Sequence, residues 1–168
     1  MFYIEKGDIT DAKTETILCI ANSSGFFAKG TPKKIMASAG EDVSLEIAAK
    51  YQCDKSSFSV GSCFETSSGD LAKKGIKRIS YMVISPFPGS LCSIYNVINA
   101  FERLLKMTIK YGRKSIAVPG IGIEDECLDV ETVAVNMSKI IRNNCDRLDI
   151  HVIDTNEIFI NKIEKYIN

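Results

Sequence analysis

The sequence of 168 residues has no net charge, its 21 Lys and Arg cancelling 21 Asp and Glu, and it contains one histidine. A balanced charge argues against the broad basic surface that non-specific nucleic-acid binding requires, so the expected partner is a small molecule. The lone imidazole, His151, falls inside an apolar run and reads as a structural residue rather than a catalytic base. The six cysteines, Cys19, Cys53, Cys63, Cys92, Cys127 and Cys145, include no C-x-x-C pair. In a chain this long and apolar they do not make a secreted disulfide framework, and they are expected to be reduced, mostly buried thiols. No apolar run approaches the roughly 18 residues of a membrane span. The opening Phe2-Tyr3-Ile4-Glu5-Lys6-Gly7-Asp8 puts charges where a signal peptide needs an unbroken apolar stretch. A cytoplasmic protein without membrane contact is the expectation. Internal repeats and low-complexity linkers are lacking too, which leaves one domain over residues 1–168.

What is present, 45% hydrophobic and 25% charged residues, is the composition of a globular protein with a sizeable core. Short apolar runs rich in Ile, Val and aromatic residues predict strands over residues 2–6, 16–21, 62–66, 77–84, 115–118 and 149–153. Between them, Ile94, Val97, Ile98, Phe101, Leu104, Leu105 and Ile109 recur at helical spacing, with Gly112 as a stop. Two further stripes run through Val130, Val133, Ala134, Met137, Ile140 and Ile141, with Asp129 placed to cap them, and through Phe159, Ile160, Ile163, Tyr166 and Ile167. Thr31 and Pro32 read as the cap and first residue of a short helix closed by Gly40, and Val43, Ile47, Ala48 and Tyr51 suggest another helix directly after it. The alternation is that of an α/β fold with a sheet between helices.

In such folds ligands bind beyond the strand C-termini, so the segments between a strand and the next helix carry the functional information. Residues 22–34, Asn22 through Gly30, Thr31 and Pro32 to Lys34, leave a strand and enter a helix whose N-terminus offers unpaired N–H groups, with Lys29, Lys33 and Lys34 adding positive charge. A cradle for an anion or an ordinary polar connection both fit. Pro119-Gly120-Ile121-Gly122-Ile123 follows another strand, and its main-chain N–H groups suit a phosphate or merely a turn. Neither G-x-G-x-x-G nor G-x-x-x-x-G-K-[ST] occurs. Gly7-Asp8-Ile9-Thr10 places a carboxylate beside main-chain N–H groups, which could pair with an adenine edge or simply form a turn.

Taken in order, Gly7 to Thr10, Ile20-Ala21-Asn22-Ser23, Ala39-Gly40, Gly61 to Gly69 and Val118 to Gly122 resemble the macro domain family over nearly the whole chain. The resemblance implies a three-layer α/β/α fold with a mixed, mainly parallel sheet of six or seven strands. It also implies a cleft for ADP-ribose or a related ADP-ribosyl metabolite or modification, the partner being the small molecule or an ADP-ribosylated protein. Asp8 and the Ile9 amide would hold adenine. Residues 28–35, with Gly30, Thr31 and Lys33, would form the first diphosphate loop, and Gly120, Ile121, Gly122 and Ile123 the second. Asn22 matches an asparagine beside the distal ribose and is the one catalytic candidate. Asp154 and Asn156 would flank the adenosine, with Phe159 stacking on it. No cofactor or metal is implied, and the oligomeric state stays open.

Some family members act as hydrolases at the distal ribose, removing ADP-ribose from proteins, deacetylating O-acetyl-ADP-ribose or releasing a phosphate. Binding module, hydrolase and diverged protein-interaction domain therefore stand as alternatives. Two departures matter for the choice. Cys19 replaces the first asparagine of the family's signature, and Glu124 and Glu126 replace a glycine and an aromatic residue in the second loop. Two unit charges about 4 Å apart interact by roughly 4 kcal/mol at intermediate dielectric, so a carboxylate aimed at a diphosphate opposes binding. Glu124, Asp125 and Glu126 are accordingly expected on a solvated loop turned away from the ligand, the alternative being a carboxylate that activates water or holds Mg²⁺.

Overall fold

Apolar runs too short for helices form six strands of one sheet: β1 (Phe2–Lys6), β2 (Thr16–Asn22), β3 (Cys63–Ser67), β4 (Arg78–Ser85), β5 (Ser115–Val118) and β6 (Asp149–Asp154). They are seen in a computed structural model that describes residues 1–124 and 127–168. The strand order is β1-β6-β5-β2-β4-β3. Only β3 runs antiparallel to its neighbour, β4; every other pair is parallel. The six-stranded, mainly parallel sheet matches the expected fold class.

Among the described residues five α-helices cover it: α1 (Gly30–Ala39), α2 (Glu41–Cys53), α3 (Ile94–Lys110), α4 (Val130–Arg142) and α5 (Glu157–Ile167). Side chains alternate across a strand, and β2 shows how this divides the core. Leu18 points to the face covered by α3, α4 and α5, where it meets Met82, Phe101, Leu104, Ile116 and Phe159. Its neighbours Ile17 and Cys19 point to the opposite face, under α1 and α2, with Ile35, Val43, Phe58 and Tyr81. Both faces are therefore dry along the central strands, as parallel sheets require. Strand β1, at one edge, is the exception, with alternate residues left to solvent.

The helix ends show which sequence signals act locally. Asp129 caps α4 by accepting from the Thr132 amide at 2.8 Å, and Asn156 caps α5 by accepting from Phe159. At α1 the expectation fails. The helix starts at Gly30 after Lys29, which makes no side-chain cap, so Thr31 lies inside the first turn instead of capping it.

Charged residues near the surface are largely matched. Lys73 pairs with Asp70 at 2.8 Å and Lys74 with Asp11 at 2.6 Å, while Lys77 pairs with Glu15, so this basic cluster is neutralised where it stands. His151 stacks on Tyr3 with ring centroids 4.4 Å apart and faces Glu5 at 3.5 Å, consistent with its structural reading. At the β3 edge, Glu46 accepts from the Ser67 amide at 3.1 Å and hydroxyl at 2.6 Å, and Arg103 donates to the Gly61 carbonyl at 2.7 Å. The cysteines depart from expectation. Only Cys19 is fully buried; Cys53 is exposed and the other four are partly so, because they sit in loops, on the edge strand or at a helix end. Among the described residues no helix is long and apolar enough to cross a membrane.

Phe101, on α3, is fully buried. Its replacement by alanine is expected to lower the unfolding free energy by about 3–5 kcal/mol in a urea titration. Asp8 gives a pH-dependent counterpart. Burial raises its carboxyl pKa, but the Thr10 amide and hydroxyl and the charges of Lys34 and Lys74 outweigh burial and hold it below its ordinary value. A carboxyl lowered on folding stabilises the protein above its unfolded-state pKa and loses that contribution as pH falls through the native one. Asp8→Asn should therefore destabilise the protein near neutrality, with the difference from wild type shrinking as pH falls below about 4 in parallel thermal melts.

Candidate functional site

Because β2, β4, β5 and β6 run the same way, the segments that follow them emerge along one edge of the sheet. Those that follow β2, β4 and β5 enclose a cleft that is open to solvent at its mouth. Of the residues expected to contact a ligand, Asn22, Gly30, Thr31, Gly120 and Gly122 line it together.

The first wall is the segment leaving β2. Asn22 is nearly buried, and its side-chain amide is engaged within its own turn. Its Nδ2 donates to the Phe26 carbonyl at 2.8 Å, and its Oδ1 accepts from the Ser24 amide at 3.0 Å. The residue thereby shapes the loop that delivers the chain to α1. Phe27 packs inward on Tyr81, with centroids 5.9 Å apart, whereas Phe26 stays exposed.

The N-terminus of α1 holds an anion, and the anion is Glu124. Its Oε1 accepts from the Thr31 amide at 2.9 Å and its Oε2 from the same amide at 3.2 Å; the Thr31 hydroxyl donates to Oε1 as well. The contact closes over Gly30, whose φ of +64° lies in the left-handed region and whose missing Cβ leaves the carboxylate its space. Glu124 is exposed, as expected of a solvated loop, but the expectation that it turns from the cleft is corrected here, since it lines it. Unpaired N–H groups and the positive end of the helix dipole attract a carboxylate as they would a phosphate, and no local side chain competes. Asp125 and Glu126 lie outside the described residues. Among the described residues no group of three His, Cys, Asp or Glu side chains is placed to hold a metal ion.

Cys19 lies below this contact. Burial, and secondarily the Glu124 charge, push its thiol pKa far above the ordinary value, so it stays protonated and is no nucleophile.

The second wall is the turn after β5. Ile121 and Ile123 are anchored in the apolar core under α3 and α4, and Gly122, with φ +74°, accepts from the Leu128 amide at 3.0 Å. Gly120 donates its N–H to Asp154 Oδ2 at 2.8 Å, while Asp154 Oδ1 accepts from the Asn156 amide at 2.7 Å. Asp154 therefore ties the end of β6 to the second loop, and the Gly120 amide is already engaged.

Asp8, Ile9, Lys33, Asp154 and Asn156 lie beyond the cleft lining. Asp8 Oδ1 accepts from the Thr10 amide at 2.9 Å and hydroxyl at 2.8 Å, and Oδ2 faces Lys34 at 3.9 Å. Gly7 donates to the Asp154 carbonyl at 3.0 Å, which joins this ledge to the second wall. Phe159 is fully buried and inaccessible for stacking, a correction that follows from its place on the inner face of α5.

A third wall was not read from the sequence. Ser85 at the end of β4, with Pro88, Gly89, Ser90 and Cys92 between β4 and α3, also line the cleft. The signal was available in Pro86-Phe87-Pro88-Gly89-Ser90, a strand-to-helix segment at the same sheet edge as the other two.

The fold agrees with known proteins. The Oceanobacillus iheyensis macrodomain with ADP gives a TM-score of 0.84 at 17% identity, covering 97% of this chain and 87% of that one. A mutant of that macrodomain with ADPR gives 0.84 at 19% identity, covering 97% and 89%. The macrodomain of Thermus aquaticus DarG gives 0.78 at 18% identity, covering 92% and 98%. Comparison with curated proteins finds no match. The model of the Macro domain family matches residues 20–137, well over half of the sequence and including the end of β2, α1, β5 and both loops that meet at Glu124. The chain belongs to the macro domain family.

Proposed function

We propose that the cleft binds ADP-ribose or a related ADP-ribosyl metabolite or modification, with a phosphate of the ligand taking the place of the Glu124 carboxylate at the start of α1. The observation that carries this is the anion already bound there: the Thr31 amide and hydroxyl accommodate two carboxylate oxygens beside a glycine that leaves them room. The similar macrodomains with ADP and ADPR supply the ligand class. Asp8 and Ile9, on the ledge beyond Asp154, would meet the adenine, and Gly122 and Ile123 the second phosphate. On this reading residues 1–168 act as one domain, in the cytoplasm, on free ADP-ribose or on ADP-ribosylated protein.

Glu124 competes with the ligand in this arrangement. A hydrogen bond to a charged group contributes about 1.5–3 kcal/mol, so weakening the carboxylate's hold should strengthen binding by roughly tenfold or more. Calorimetry is expected to show ADP-ribose binding by the wild type and tighter binding by Glu124→Gln. Absence of binding to both at millimolar ligand would overturn the proposal.

A hydrolase acting at the distal ribose is favoured by one observation, a carboxylate inside the cleft on Thr31. Against it, the Asn22 amide is engaged by Phe26 and Ser24. The binding reading expects no product above blank when the protein is incubated with mono-ADP-ribosylated protein or O-acetyl-ADP-ribose. Release that Asn22→Ala abolishes would establish the enzyme instead.

A further inference from the structure

We propose that Cys92 and Cys127 are a reversible dithiol–disulfide couple that staples the second wall of the cleft to the segment entering α3. Their sulfurs lie 2.9 Å apart although the residues are 35 apart in sequence. The bond itself is about 2.05 Å long, so the two sulfurs need close by less than an ångström. Backbone groups hold Cys127 in place from its partner's side. The Cys92 amide donates to Cys127 Sγ at 2.9 Å, and Cys127 Sγ approaches the Ser90 carbonyl at 3.4 Å.

Access distinguishes this pair from Cys19 and Cys63, and the close sulfur contact distinguishes it from the more accessible Cys53 and from Cys145, whose Sγ lies against the Arg142 carbonyl. Cys92 and Cys127 are partly exposed and both line the cleft, where a small oxidant can enter. Cys19 is sealed in the core. Cys63 is turned toward the Ala100 carbonyl at 3.4 Å, and burial pushes its thiol pKa up to about 11.

With hydrogen peroxide as oxidant, one thiolate attacks a peroxide oxygen. The O–O bond breaks, and the leaving hydroxide takes up a proton to become water. The sulfenic acid left behind is attacked at sulfur by the second thiolate; its S–O bond breaks as the S–S bond forms, and a second water departs. Two electrons pass from the two sulfurs to the peroxide. A disulfide-exchange oxidant such as oxidised glutathione reaches the same product through a mixed disulfide, releasing two molecules of reduced glutathione. The closed ring contains α3 and β5 and fixes Cys127, three residues beyond Glu124, against Cys92, two residues ahead of the helix.

The test uses the whole reduced protein, exposed to hydrogen peroxide or oxidised glutathione, quenched with iodoacetamide and mapped by peptide mass spectrometry. The expected product is one linked peptide pair containing Cys92 and Cys127, lost on treatment with dithiothreitol and lacking in Cys92→Ser. The oxidised protein should melt roughly 5–10 °C higher than the reduced one, and Cys127→Ser should show no such rise. Alkylation of both cysteines after oxidation, or their linkage to other partners, would overturn the proposal.

Discussion

Burial of both faces of a parallel sheet is the constraint from which the remaining features follow. With β1, β6, β5, β2 and β4 side by side in one direction, their C-terminal ends line up along one edge. Each chain segment must turn there before returning over one face or the other. Residues 22–29 turn toward α1, residues 86–93 toward α3, and residues 119–129 toward α4, so the first leaves for one layer and the others for the opposite one. The cleft is the space between these departures. Its floor is apolar because it is the end of the core, and its walls are polar because they are turns and helix starts.

The walls are held by charge and by backbone hydrogen bonds rather than by packing alone. At α1 the missing local cap and the left-handed Gly30 make an anion site, and Glu124 occupies it from 93 residues away. On the other side Asp154 performs a comparable task, taking the amides of Gly120 and Asn156 with separate oxygens. Two carboxylates thus assemble the site. Glu124 fills the anion site at the start of α1, whereas Asp154 ties the second loop to β6. This explains how a cleft that suits anions can belong to a chain without net charge: its anion site is built from the Thr31 amide and hydroxyl, while Lys34 on α1 faces Asp8 at 3.9 Å.

Much of the fold was legible because local signals and burial agree. The strand runs and the 94–109 stripe predicted their elements within a residue or two, since alternation and helical spacing report the same core that the fold builds. The start of α1 was misplaced because Thr31-Pro32 is a sound local signal, overridden by a cap supplied in three dimensions. Glu124 was read as turned from the cleft for a related reason: its charge is visible in the sequence, but the absence of a side-chain cap at Lys29 appears only once the helix has been seen. Cys92 and Cys127 escaped a reading based on short spacings because β5 and α3 intervene. Phe159 was given a ligand role on position alone, while its place in the α5 stripe already marked it as core.

The β3 edge has a consequence for how copies of the molecule meet. An outermost strand offers unpaired amides and carbonyls to any other strand, and joining edge to edge is a common route to aggregation. Here the Glu46 carboxylate from α2 occupies the Ser67 amide and hydroxyl, and the Arg103 guanidinium from α3 occupies the carbonyl of Gly61 just ahead of the strand. A second chain approaching that border would have to displace a carboxylate at one end and a guanidinium at the other before making its first rung. The helices that cover the two faces of the sheet also guard its margin, so the fold limits self-recruitment at its antiparallel edge.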